Sequence, residues 1–210
     1  MLNRRLLART AVAGALVLSL VGGVVTAQTA ATRNPAEVQA GTYKLDPAHG
    51  KITWSVEHLG FSTYYGQFIN VAADLTLDPA NPSASTLTAT VPLTDVAPNN
   101  DALKAHLQTP DFFDTARFPT AAFVATSIVI DEDDASEAEV TGNLTLHGVT
   151  KPVVLDVEFN QAGPSMGGVY KVGFDGETII KRSEFGINFG LPAIGDEVEL
   201  HIEGEFIKQP

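Results

Sequence analysis

The chain has 210 residues, a formal net charge of −12 and no cysteine. Acidity of this degree argues against nucleic acid and anionic lipid headgroups as general partners, because a polyanion is repelled at long range. Without cysteine there is neither a disulfide framework nor a lipid-modified thiol, so the fold has to rest on its apolar core.

The first 27 residues open with Arg4, Arg5 and Arg9, continue as AVAGALVLSLVGGVV and end in small residues. That order predicts a secretory signal cleaved after Ala27, by the general or the twin-arginine route. A stable membrane anchor is not expected, since a span needs about 20 apolar residues and this run is shorter and carries Gly22 and Gly23. The expected location is therefore periplasmic or secreted, and loss of three arginines with the signal leaves a net charge of −15. Residues 28–41, QTAATRNPAEVQAG, are small and polar without periodicity and predict a disordered tether ahead of a domain at 42–210.

From Tyr43 onward the hydrophobic period is two. Ile52, Trp54 and Val56 alternate with Thr53, Ser55 and Glu57, and the pattern returns at 86–93, 140–146, 153–159, 170–180 and 198–206. With the apolar stretches 66–77 and 121–130 the count is about eight strands, separated by turn-forming clusters at 78–85, 131–139, 161–168 and 191–197. One segment departs from the period: NNDALKAHLQ, 99–108, offers Asn99 or Asn100 as an N-cap and an i,i+4 pair in Leu103 and Leu107, which predicts a short helix. The fold class is all-β, and strands with one apolar face must pack sheet on sheet or close into a barrel. Strands of ten or more residues favour the barrel, which is either filled by side chains or holds a small ligand.

The loop GPSMG, 163–167, fits the pattern of a serine-hydrolase elbow but lacks the strand-to-helix context that gives the pattern its mechanics, and it reads as a hairpin turn. Five histidines lack the spacing that aims two rings at one ion, so neither a metal nor a cofactor is expected. His147, in the segment HGVTKP, and His201 follow the polar parity of their strands and are expected to be solvated. His58 instead continues the inward face of Ile52, Trp54 and Val56; it is either a core histidine or a contact for a ligand's head. Arg182 shares the inward parity of Tyr170, Val172, Phe174 and Ile180, and a buried arginine needs a partner, either a carboxylate such as Glu57 or Asp196 or a ligand group. Trp54, Phe61, Phe68, Phe113, Phe118, Phe123, Phe174, Phe185 and Phe189 are core or pocket lining; parity does not separate the two.

Several stretches resemble, in order, the YceI family of exported, lipocalin-like, polyisoprenoid-binding proteins: YKLDPAHGKITWSVEHLGFSTYYGQF, LTLDPANPSAS, DALKAHLQTPDFFDTARFPTAAF, VTGNLTLHGVTKPV, and IIKRSEFGI with GDEVEL. The resemblance covers about 42–208 and implies an extended eight-stranded antiparallel barrel with a long apolar cavity. It further implies a bound isoprenoid or similar long-chain amphiphile, with ligand contacts at His58, Phe61, Phe68 and Arg182, to which the aromatic candidates Trp54, Phe113, Phe123, Phe174 and Phe185 are added. The acidic loop DEDDASEAE would disfavour a diphosphate head if it lay near the mouth, and favours a neutral head such as a quinone or amide. Expected, then, is a non-catalytic carrier; the rivals are an enzyme using His58 as acid or base and a barrel with a filled interior. A homodimer is compatible with the sequence.

Overall fold

The structure, a computed structural model, describes residues 30–210, so the expected signal segment lies outside the described residues. Ten strands follow one another: β1 (Gly41–His58), β2 (Ser62–Phe68), β3 (Ala72–Leu77), β4 (Thr86–Pro92), β5 (Val96–Ala97), β6 (Thr120–Ile130), β7 (Glu137–Leu146), β8 (Val149–Pro164), β9 (Tyr170–Lys181) and β10 (Ile194–Lys208). Every pairing is antiparallel, and β10 returns to β1 to close the sheet. The short strands β2 and β3 both lie against β1, at its second and first halves respectively, and so fill one place between them. The result is the closed eight-stranded antiparallel barrel expected from the strand count.

Alternation sets the wall. Across β1 and β10, Ile52 pairs with Ile202, Trp54 with Leu200 and Val56 with Val198 on the inner face, while Lys51 faces Glu203 and Thr53 faces His201 outside. A one-residue slip would turn all of these apolar groups to water, which fixes the register. Two departures from the predicted strands have local causes. The strand alternation predicted from residue 51 begins earlier, at Gly41, and is interrupted by a bulge at Asp46–His49, between the pairs Leu45–Phe206 and Gly50–Gly204. The single strand expected at 66–77 is broken by Asn70, whose φ of 58° lies in the left-handed region and whose side-chain amide donates to Asp95 at 3.0 Å.

The helix α1 (Asp101–Leu107) forms where predicted, with the Asn100 side chain accepting from the Leu103 N–H at 2.9 Å. It lies between β5 and β6 and packs Leu103 and Leu107 onto the core. No helix among the described residues is long and apolar enough to cross a membrane. Residues 32–41 correct the expectation of a disordered tether. Thr32 pairs with Ala162, Asn34 caps a 3-10 turn at Pro35–Glu37, and Val38 is buried beside Phe159 and Val172. A few apolar contacts and an edge pairing hold a segment whose composition alone predicts none.

Candidate functional site

The barrel interior is not filled. Two apolar compartments lie along its axis, of about 230 Å³ and about 140 Å³. Ile52, Val91, Leu144 and Leu200 line both and form the neck between them. Native interiors rarely keep voids larger than a water molecule.

The wider compartment is aliphatic for the most part, with Leu45, Leu75, Leu77, Leu87, Val140, Val153, Leu155 and Ile202 joined by Phe123, Phe174 and Phe206. It reaches the ends of β3 and β6, next to the loops 78–85 and 131–136. Among the polar residues along it, Lys51 pairs with Glu203 at 2.7 Å, Ser85 accepts from the Asp78 N–H, Thr178 donates to the Val154 carbonyl, and Asp175 completes the set. The narrower compartment is more aromatic, lined by Trp54, Phe68, Phe112 and Phe113 with Leu93, Leu107, Ile187 and Arg182. Two glycines make room for the rings. A Cβ at Gly66 would lie 2.2 Å from the Trp54 indole, and one at Gly142 would lie 2.2 Å from the Phe123 ring.

Of the expected contacts, Trp54, Phe68, Phe113 and Arg182 meet in the narrower compartment, and Phe123 and Phe174 in the wider one. Three do not belong to the lining. Phe61 is 88% exposed on the β1–β2 turn, because parity ends where the strand ends. His58 sits half-buried at the end of β1 with its ring 6.3 Å from Tyr64, outside both compartments. Phe185 is fully buried in the core and lines neither compartment. Phe118 packs on His147, and Phe189, 43% exposed, packs on His106 and Phe112.

Arg182 is buried, as its parity required, but its partners are backbone carbonyls rather than a carboxylate or a ligand group. Nε donates to Gly195 at 2.7 Å, Nη1 to Ile187 and Phe189, and Nη2 to Ile194 at 2.9 Å. Burial draws the guanidinium below its ordinary value, opposed by the charge of Asp196. Asp196 accepts from the Ser183 N–H and hydroxyl; burial raises its carboxyl, and those donors with Arg182 and Lys181 outweigh burial and hold it below the usual carboxylate range. Arg182 therefore ties the turn 182–195 across this end of the barrel. The acidic loop 131–139 lies at the opposite end.

His147 is also corrected: it is half-buried, and its Nδ1–H donates to the Phe185 carbonyl at 3.0 Å. His147 and Gly148 both take positive φ, 51° and 76°, as a two-residue type I′ hairpin turn demands. The histidine thereby fastens one turn to the next. Ser165 of GPSMG is in a hairpin turn, its N–H donating to Val169. On the outer wall Asp46, His49 and Glu205 bring one ligand atom each within 4.8 Å of one another, but Lys171 Nζ lies 2.7 Å from both carboxylates and supplies the positive charge there.

Residues 43–206 match the family model of the YceI-like domain. Protein YceI of Escherichia coli O6:H1 is 36% identical over 172 residues, 81% of this chain and 88% of that protein. Burkholderia cenocepacia BcnA superposes with a TM-score of 0.69 at 24% identity, over 79% of this chain and 99% of that one. A polyisoprenoid-binding domain from Saccharophagus degradans, implicated in plant cell wall breakdown, superposes with a TM-score of 0.56 at 13% identity, over 81% and 100%.

Proposed function

The chain belongs to the family of YceI-like domains, and from that premise we propose that it is a non-catalytic carrier that shields the chain of an isoprenoid or similar amphiphile from water. The observation that carries this reading is the pair of apolar compartments that adjoin inside the barrel at Ile52, Val91, Leu144 and Leu200. A void of about 150 Å³ with such walls stays dry and takes up a benzene-sized guest, and two joined compartments suit something longer. Each square ångström of apolar ligand surface buried there contributes about 25 cal/mol, less the cost of ordering the chain. The polyisoprenoid-binding domain of S. degradans, which shares the fold, lends support. Export by the N-terminal signal would place the carrier in the periplasm or outside the cell.

The rival enzyme reading required His58 to reach the ligand, and His58 lies outside both compartments. In the narrower compartment Arg182 is the sole ionisable lining residue, and a guanidinium fixed on four carbonyls is a poor proton carrier. Native mass spectrometry of the exported protein, with extraction and analysis of whatever leaves it, tests the proposal. A co-purified amphiphile, or uptake of added prenols by the delipidated protein, is expected; a protein that neither carries nor takes up one refutes the carrier.

A further inference from the structure

The capacity of the interior and the way its wider end is stoppered are linked. A void of about 150 Å³ takes one six-carbon ring, and the two compartments together offer about two and a half times that space. At that loose filling they hold about 15 carbons, and closer packing admits roughly 20, which is three or four isoprene units. The narrower compartment is bounded by Ile187 and Ile194 of the turn 182–195, which Arg182 fixes through four carbonyls.

The wider compartment is bounded differently. Its lining residues Leu75 and Phe206 belong to a buried apolar cluster that continues through Tyr43, Phe159, Ala162, Val172 and Val38. Parity keeps Tyr43 on the inward face with Leu45, and Val172 with Phe174. Of the buried members of this cluster, Val38 alone does not come from a strand of the wall. It belongs to the segment 30–40, which lies across the ends of β8, β9 and β10. Thr32 exchanges two backbone bonds with Ala162, at 2.7 and 2.9 Å, the Gln39 N–H donates to the Tyr170 hydroxyl, and Lys208 Nζ donates to the Ala40 carbonyl. A Cβ at Gly163 would lie 2.6 Å from Ala31 Cα, so the glycine lets the segment sit directly on β8.

The two boundaries are unequal in strength. Val38 is the one buried residue of 30–40, whereas a buried guanidinium holds the opposite turn. Segments with few buried apolar contacts open at the least cost. Resting on the carrier reading, we propose that the segment 30–40 is a chain-length stop. While Val38 is seated, the interior accepts chains of up to roughly 20 carbons, and a longer chain binds only by pushing the segment off the end of the wall. Val38 is thereby a specificity-determining residue, and the ligand class is an isoprenoid of three or four units or an amphiphile of similar length.

The test offers farnesol, geranylgeraniol and solanesol, with three, four and nine isoprene units, together and in equal amounts in phosphatidylcholine vesicles to the delipidated full chain. Mass spectrometry then quantifies the prenols on the recovered protein. Wild type should carry at least about tenfold less solanesol than geranylgeraniol. Val38→Ser weakens the seat, and Thr32→Pro removes the donor to Ala162 outside the lining. Each should raise the ratio of solanesol to geranylgeraniol at least about threefold while geranylgeraniol is carried as by wild type. Either variant suffices if the other fails to fold, and the wild-type ratio needs neither. Solanesol carried as well as geranylgeraniol by wild type, or a ratio that neither variant raises, overturns the chain-length stop alone. A wild-type protein that carries none of the three prenols overturns the carrier reading with it.

Discussion

The two compartments share a neck and an apolar character, but they are built differently. The wider one is walled largely by Leu, Val and Ile from long regular strands, with Lys51, Glu203 and Thr178 at its edge bonded to one another or to backbone. The narrower one is walled by rings and by irregular segments: α1, the loop after it, and the turn 182–195 pinned by Arg182. The difference is one of wall chemistry, aliphatic in one half and aromatic in the other.

The strongest way to break the contrast is at the base of the narrower compartment. Arg182→Met keeps volume and removes donors from four carbonyls; by analogy with breaking a buried charged group's partners, it should cost at least about 3 kcal/mol in denaturant unfolding. Arg182→Lys should recover little, because an ammonium does not reproduce the guanidinium fork. A loss under 1 kcal/mol for Arg182→Met would show that the turn 182–195 is held by something else. Next in size are the glycines under the rings. Gly142→Ala forces the Phe123 ring off β7 and should cost roughly 1–3 kcal/mol, and Gly66→Ala should do the same to Trp54. Gly142→Ala should weaken lipid binding by disturbing the wider compartment and Gly66→Ala by disturbing the narrower one, which equilibrium dialysis measures.

The smallest effect is expected outside the wall of the wider compartment. The Lys171 hydrogen bond, then the Ala48 N–H and His49, hold the Asp46 carboxyl well below the usual carboxylate range, while Asp46 and Glu205 raise the Lys171 ammonium above its ordinary value. For a depressed carboxylate the stability contribution is present above the unfolded value and is lost as pH falls through the folded one. For a raised ammonium it is present below the unfolded value and is lost as pH rises through the folded one. The difference in unfolding free energy between wild type and Asp46→Asn should therefore stay flat from about pH 5 to pH 9, at about 1 kcal/mol, and shrink only in strong acid or base. A difference that changes between pH 5 and pH 9 would show that the Asp46–Lys171 pair is not what the substitution removes.

Much of this architecture was legible in the chain. Period-two alternation marks the inward Ile52, Trp54 and Val56 and the inward Val198, Leu200 and Ile202, and the capping pattern at Asn100 marks α1. The same parity marks Leu144 and Leu155 as lining, although aromatic residues attract attention first. What local pattern misses is long-range: the Thr32–Ala162 pairing, the bulge at Asp46–His49, and the carbonyls that converge on Arg182 from 187 to 195. Parity said that Arg182 was inside; only the fold says what it holds. The turn at His147–Gly148 joins neighbouring strands, yet the Phe185 carbonyl that accepts from His147 lies 38 residues away in sequence, beyond any local signal.

The neck tests the central claim most directly. Leu144→Trp inserts a bulky ring where the compartments join, and because it enters a void its unfolding free energy should stay within roughly 1–3 kcal/mol of wild type. Equilibrium dialysis of the delipidated proteins against geranylgeraniol should then give one bound chain per wild-type molecule and at least a tenfold loss of affinity in Leu144→Trp. Equal binding by the two proteins, or none by wild type, would contradict a ligand held through the barrel.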